Sequence, residues 1–262
     1  MKKILIPIDF SETSENAFRY ALAFTQNIKA KLICLYAYQK EETEENILAK
    51  IELLKKNNLT SSFFAAIEFI YLPETLENAV DKCTKKHKIN LILMGTKGTQ
   101  GFNKLMSVSH TTDLLSQFEI PFLIIPESFT FNPYKYIMWA SDFKFLNNDN
   151  AIDLLVEIAK KFDAEVRIAH VKTSKQYGSQ AEHLERSREK YLFDAENVKF
   201  SFKRIYSSNI SEGVQYYLKL KKDNDLLVLV RRKHGFMSKL FRTDHAMEFA
   251  SVPSMPLLIL HE

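Results

Sequence analysis

Apolar positions along this chain alternate between two kinds of period. The run Ile4-Leu5-Ile6-Pro7-Ile8 predicts a strand over 3–8. After it, Ala17, Tyr20, Ala21, Phe24 and Ile28 recur at helical spacing and predict a helix over 13–28. Ser11 is placed to cap that helix, and Glu12 and Glu15 favour the positive end of its dipole. The alternation continues with a strand over 31–37, a helix over 43–57 (Ile47, Ile51 and Leu54 on one face) and a strand over 64–71. A helix over 75–87 carries Leu76, Ala79, Val80 and Cys83, and a strand over 90–94, a helix around 110–118 and a strand over 121–125 complete the series. Near-continuous apolar strands separated by helices imply a parallel sheet covered on both faces, that is, an α/β doubly wound, Rossmann-like fold.

The series is then written a second time. Ile4 to Phe10 corresponds to Ile137 to Phe143, both apolar runs ending in Asp-Phe. Ala30 to Tyr36 corresponds to Ala164 to His170, Asn90 to Met94 to Asp225 to Leu229, and Pro121 to Ile125 to Pro256 to Leu260. The order is kept and the offset hardly drifts, so two tandem domains of one kind are expected, over 1–128 and 134–262. The seam from Pro126 to Tyr134 carries Pro126, Ser128, Asn132 and Pro133, as a linker should. Within the second copy, 172–199 is more polar and resists assignment.

Composition narrows the function classes. A chain of 262 residues with 46% hydrophobic and 26% charged residues is ordinary for a soluble globular protein. A net charge of +4 spread along the chain argues against nucleic acid, which calls for a concentrated basic face. Two cysteines, Cys34 and Cys83, are no disulfide framework and point to a reduced, cytoplasmic setting. The amino-terminal apolar run is broken by Asp9, too early for a signal-peptide core, and no apolar stretch reaches bilayer-spanning length, so no membrane association is expected.

Three of the six glycines, Gly95, Gly98 and Gly101, fall in one short stretch after the strand at 90–94 and before a helix opening near Ser109. A glycine loop between strand and helix lets backbone N–H groups approach an anion, and the helix N-terminus adds partial positive charge. That arrangement suggests a phosphate site. In a doubly wound sheet, ligands bind beyond the strand carboxyl ends where the winding reverses. If the first and fourth strands flank that point, Asp9 meets the glycine loop in one crevice. Asp9 would accept hydrogen bonds from a ribose or base, and Ser109 would donate to the phosphates.

Residues 3–15, Lys-Ile-Leu-Ile-Pro-Ile-Asp-Phe-Ser-Glu-Thr-Ser-Glu, resemble the opening of universal stress proteins, and Met94 to Ser109 resembles their nucleotide signature. The resemblance runs through nearly the whole chain as two tandem copies. It implies that Pro7, Ile8 and Asp9 hold adenosine and that the Ala37 backbone faces the adenine. It implies also that Met94, Gly95 and Gly98 surround ribose and phosphates, and that Ser109 touches a phosphate. It further implies ATP or a related adenine nucleotide as ligand, Mg²⁺ only with that nucleotide, and a role in stress response without committed catalysis. Single-domain members dimerise through their last strands, which implies pairing of the two halves within this chain, or a homodimer. One signature position departs: Val108 stands where the third glycine belongs, and its side chain occupies space meant for close backbone approach.

The second copy departs further. Val230 replaces the first glycine, the loop reads Arg231-Arg232-Lys233-His234-Gly235, and Asp244 stands opposite Ser109, where a carboxylate would repel phosphate. Asp142 alone makes no site, so no ATP-type binding is expected over 134–262. Arg231, Arg232, Lys233, Lys239 and Arg242 read as a solvated loop, and His110 and His245 are no metal site. Tyr36 and Tyr38 read as core. No P-loop, dinucleotide fingerprint or Gly-x-Ser-x-Gly elbow is present, and no nucleophile or base stands out for catalysis. Two rivals to the nucleotide reading remain open: an interaction scaffold whose pocket Val108 has closed, and a slow ATPase.

Overall fold

The computed structural model describes residues 3–39, 41–59, 67–96, 114–141, 149–173, 193–208, 210–231 and 255–261. The chain divides into two compact units, Met1–Phe131 and Asn132–Glu262.

In the first unit the strands are β1 (Lys3–Pro7), β2 (Lys31–Ala37), β3 (Ile67–Leu72), β4 (Leu91–Thr96) and β5 (Phe122–Pro126). Helices α1 (Glu12–Asn27), α2 (Glu44–Asn58) and α3 (Leu76–His87) follow β1, β2 and β3, and residues 114–117 are helical ahead of β5. All described pairings are parallel, and the strand order is β3-β2-β1-β4-β5. Ile4, Leu5, Ile6, Leu32, Ile33, Leu91, Ile92, Phe122 and Leu123 are wholly buried, which is why these strands carry no polar alternation. Each such aliphatic side chain contributes about 1.5–3 kcal/mol relative to exposure.

The three helices start in the same way. Ser11, Thr43 and Thr75 are in extended backbone, and each side chain accepts from an amide three residues on, at Ser14, Asn46 and Asn78. Helix α1 buries Ala17, Tyr20, Ala21 and Phe24, members of the stripe expected from the sequence, and Phe18 beside them. After β5 the chain folds back on α1: Asn16 Nδ2 donates to the carbonyls of Pro126 and Phe129 at 3.1 and 3.2 Å, and Phe131 packs edge-on against Tyr20.

The second unit repeats the plan. Its strands are β6 (Tyr136–Ala140), β7 (Glu165–Thr173), β8 (Phe200–Ser207), β9 (Leu226–Arg231) and β10 (Leu257–His261), with helices α4 (Asp149–Phe162) and α5 (Ile210–Leu220). The order within this unit is β8-β7-β6-β9-β10, again parallel. At the amino ends of its strands, the buried Arg167 guanidinium forms a two-pronged ion pair with Asp223 (2.8 and 3.0 Å) and stacks 3.6 Å from the Tyr136 ring centroid. Asp225 accepts from the amides of Lys135 and Tyr136, tying β6 to the turn before β9.

Three expectations need correction. Gly95 lies inside β4, not in the loop after it, because β5 supplies a pairing partner as far as Thr96 opposite Pro126. For the same reason Val230 and Arg231 belong to β9, paired with Leu260 and His261, and Arg231 is half-buried rather than in a solvated loop. Tyr36 and Tyr38 are half-exposed at the carboxyl end of β2, not core.

Candidate functional site

The winding of the first unit reverses between β1 and β4. From β1 the chain passes outward to β2 and β3, then crosses back to β4 on the other side of β1. A crevice forms beyond the carboxyl ends at such a point because the flanking connections leave in opposite directions. The pairing register here strengthens the effect. β1 and β4 register at Ile4 with Leu91 and Leu5 with Ile92, near their amino ends. β1 registers with β2 as far as Pro7 opposite Leu35.

Asp9 lies two residues beyond the end of β1 and is exposed. Its Oδ1 accepts from the Ser11 amide at 3.0 Å and from the Ser11 hydroxyl at 2.5 Å, while its own amide donates to Ser14 Oγ at 3.3 Å. Ser14 Oγ in turn donates to the Ser11 carbonyl at 3.0 Å. Desolvation pushes the Asp9 carboxyl upward, but the hydrogen bonds from Ser11 and Ser14 outweigh it and hold the group below its ordinary range. The carboxylate is therefore ionised at neutral pH and presents an acceptor at the crevice. It also orders the turn into α1. Pro7 and Ile8 are buried, and the Ile8 amide donates to the Leu35 carbonyl at 2.9 Å.

Gly95 has a packing requirement of its own. A Cβ there would lie 2.3 Å from the Thr13 carbonyl oxygen and 2.9 Å from Thr13 Cγ2, because the first turn of α1 comes down onto β4. Met94 is buried and Ala37 half-buried, on β4 and β2. The structure thus places Pro7, Ile8, Asp9, Ala37, Met94 and Gly95 at the carboxyl ends of three adjacent strands. Gly98, Gly101, Val108, Ser109 and His110 lie outside the described residues, as do Asp142, Arg232, Lys233, Lys239, Arg242, Asp244 and His245.

Sequence reasoning passed over a polar cluster beside β4. Thr13 Oγ1 donates to Glu127 Oε1 at 3.0 Å, and the Glu127 amide donates to the Thr96 carbonyl at 2.7 Å. Thr96 Oγ1 is buried with no hydrogen-bond partner among the described residues. The signal was present: Glu127 is the first charged residue after the apolar run of β5, so it must sit at the carboxyl edge. Among the described residues no group of three or more His, Cys, Asp or Glu side chains is set to hold a metal ion. No helix among the described residues is long and apolar enough to cross a membrane. Both cysteines are buried thiols, and desolvation pushes that of Cys83 up to about 11.

Comparison with known proteins agrees with this architecture. Residues 1–62 match the model of the universal stress protein family. Among solved structures, a universal stress protein from Archaeoglobus fulgidus DSM 4304 superposes with a TM-score of 0.70 at 18% identity, covering 99% of this chain and 98% of that one. A functionally unknown protein of Pseudomonas aeruginosa PAO1 gives a TM-score of 0.67 at 12% identity, over 100% of this chain and 92% of that one. At these identities the likeness is one of fold. No curated protein matches the chain.

Proposed function

We propose that this chain, with the universal stress family match at its amino terminus and that fold through both units, serves in stress response as a nucleotide-responsive protein whose first unit binds ATP or a related adenine nucleotide. The observation that carries the reading is the reversal of winding between β1 and β4, with Asp9 and Gly95 at the adjoining strand ends. In this reading Pro7, Ile8, Asp9 and Ala37 face the adenosine. Met94, Gly95, Gly98 and Ser109 face the ribose and phosphates, and Mg²⁺ arrives only with the nucleotide. A hydrogen bond from a ribose hydroxyl to the ionised Asp9 carboxylate contributes about 1.5–3 kcal/mol. The two buried free thiols fit a reduced, cytoplasmic compartment.

A specific observation favours a second reading, an interaction scaffold without a ligand. Asp9 and Gly95 each have local work, one ordering the α1 turn and the other admitting Thr13. Val108, at the family's third glycine, supports the same reading. The two are separated by denaturing purified protein, chromatographing any released adenine nucleotide, and measuring thermal shift with ATP and Mg²⁺. Ligand at a hundred times its dissociation constant stabilises by about 2.7 kcal/mol. Released nucleotide or a clear shift supports binding. A shift absent from the parent but present in Val108→Gly identifies the valine as the lesion and the scaffold as the present state.

A further inference from the structure

Phe10 holds the only left-handed backbone at the carboxyl ends of the described strands, with φ at 60°. A bulky aromatic residue rarely adopts this conformation, and it persists only where surrounding contacts over-determine it. Those contacts are present. The Phe10 ring meets the Tyr36 ring edge-on, with centroids 4.9 Å apart. The Lys50 ammonium of α2 lies 5.8 Å from the Phe10 centroid and 5.6 Å from that of Tyr36. Glu42 closes the cluster, accepting from the Tyr36 hydroxyl at 2.5 Å and pairing with Lys50. On the other side of Phe10, the turn it makes brings the Ser11 amide and hydroxyl back onto Asp9 Oδ1.

We propose that Phe10 is a positioning residue: its ring, clasped by Tyr36 and Lys50, holds the backbone turn that fixes the Asp9 carboxylate and, on the nucleotide reading given above, thereby sets affinity. The clasp joins the β2 end and α2, through the Phe10 main chain, to the neighbouring Asp9 carboxylate. Glycine adopts the same φ without a ring, whereas alanine keeps the strain and loses the clasp, so the two substitutions separate conformation from contact.

The test is a ¹³C-carboxyl NMR titration of Asp9 in the full chain, in the parent and in Phe10→Ala, Phe10→Gly and Lys50→Met, with circular dichroism as the check on folding. The parent midpoint is expected below the ordinary 3.8 of the free side chain, since Ser11 and Ser14 are held in place. In Phe10→Ala it should rise toward that value, with Phe10→Gly and Lys50→Met between the two. A purely structural ring would cost stability and leave the titration alone. Unchanged midpoints in the folded Gly and Met variants would overturn the proposal, even if the Ala variant does not fold. ATP titration of the same proteins separates the two ideas. A parent that binds ATP should lose about tenfold in Phe10→Ala, which supports both. A parent that binds none sinks the nucleotide reading while the carboxyl titration still decides the role of Phe10.

Discussion

Gly95→Ala gives the sharpest perturbation of the first unit. The added methyl would stand 2.3 Å from the carbonyl oxygen of Thr13 and 3.0 Å from its carbonyl carbon, both backbone atoms of the first turn of α1. A backbone atom cannot rotate aside, so the turn must retreat by about 1.1 Å to restore an ordinary contact. That retreat pulls on the Thr13–Glu127 hydrogen bond and on Ala17 and Phe18, which are wholly buried one turn further along. Overpacking that displaces backbone costs about 1–3 kcal/mol, and the backbone identity of the obstacle puts this case near about 2 kcal/mol. For a unit of this size that lowers the melting temperature by about 6–10 °C. Urea and thermal unfolding, followed by circular dichroism, measure it. Adding Thr13→Ser removes the Cγ2 contact at 2.9 Å but not the carbonyl, so the double variant should recover less than about 1 kcal/mol. A Gly95→Ala protein within about 0.5 kcal/mol of the parent would refute the close approach of α1 to β4.

Three more outcomes are expected. The folded-state Asp9 carboxyl lies below its ordinary 3.8, so its stabilisation is complete above that value and is lost as pH falls through the lowered one; Asp9→Asn should flatten the acid limb of the stability curve, and an unchanged limb would contradict the hydrogen-bonding described. Asp223→Ala leaves the buried Arg167 guanidinium without its two-pronged partner and should cost about 1–3 kcal/mol in chemical denaturation, and Arg167→Lys should do little better because an ammonium cannot make both bonds. Gly213→Ala in α5 gains helix propensity but meets Val171 Cγ1 at 2.4 Å, so a cycle with Val171→Ala should show about 1 kcal/mol of coupling, and additivity would refute that contact.

The fold was legible because burial is two-sided. Strands such as Ile4-Leu5-Ile6 and Leu91-Ile92-Leu93 have no solvent face, so their apolar runs stand out against the helical stripes. The cap of α1 was legible too, since Ser11 is followed by an acidic first turn. β8 was not. It is the edge of its unit, with Ser201, Lys203, Arg204 and Tyr206 exposed, and the polar side chains that protect an edge erase the strand pattern. Strand ends were misjudged where a glycine or arginine interrupted the apolar run, because ladder partners such as Ile125 and His261 extend a strand regardless of its own composition. The site was half legible. Asp9 and Gly95 could be singled out by type and position, but their partners Ser11, Ser14 and Thr13 are ordinary helix-start residues, and only the approach of α1 to β4 reveals what they do.

The nucleotide reading is tested most directly by a ¹⁵N-resolved NMR titration of the full chain with ATP and Mg²⁺. Saturable shifts at the amides of Asp9, Ser11, Ala37 and Gly95, with the amides of Ala140 and Val230 unmoved, are what the account requires. Spectra that stay superimposable at millimolar ATP, or that respond equally in the second unit, would contradict it.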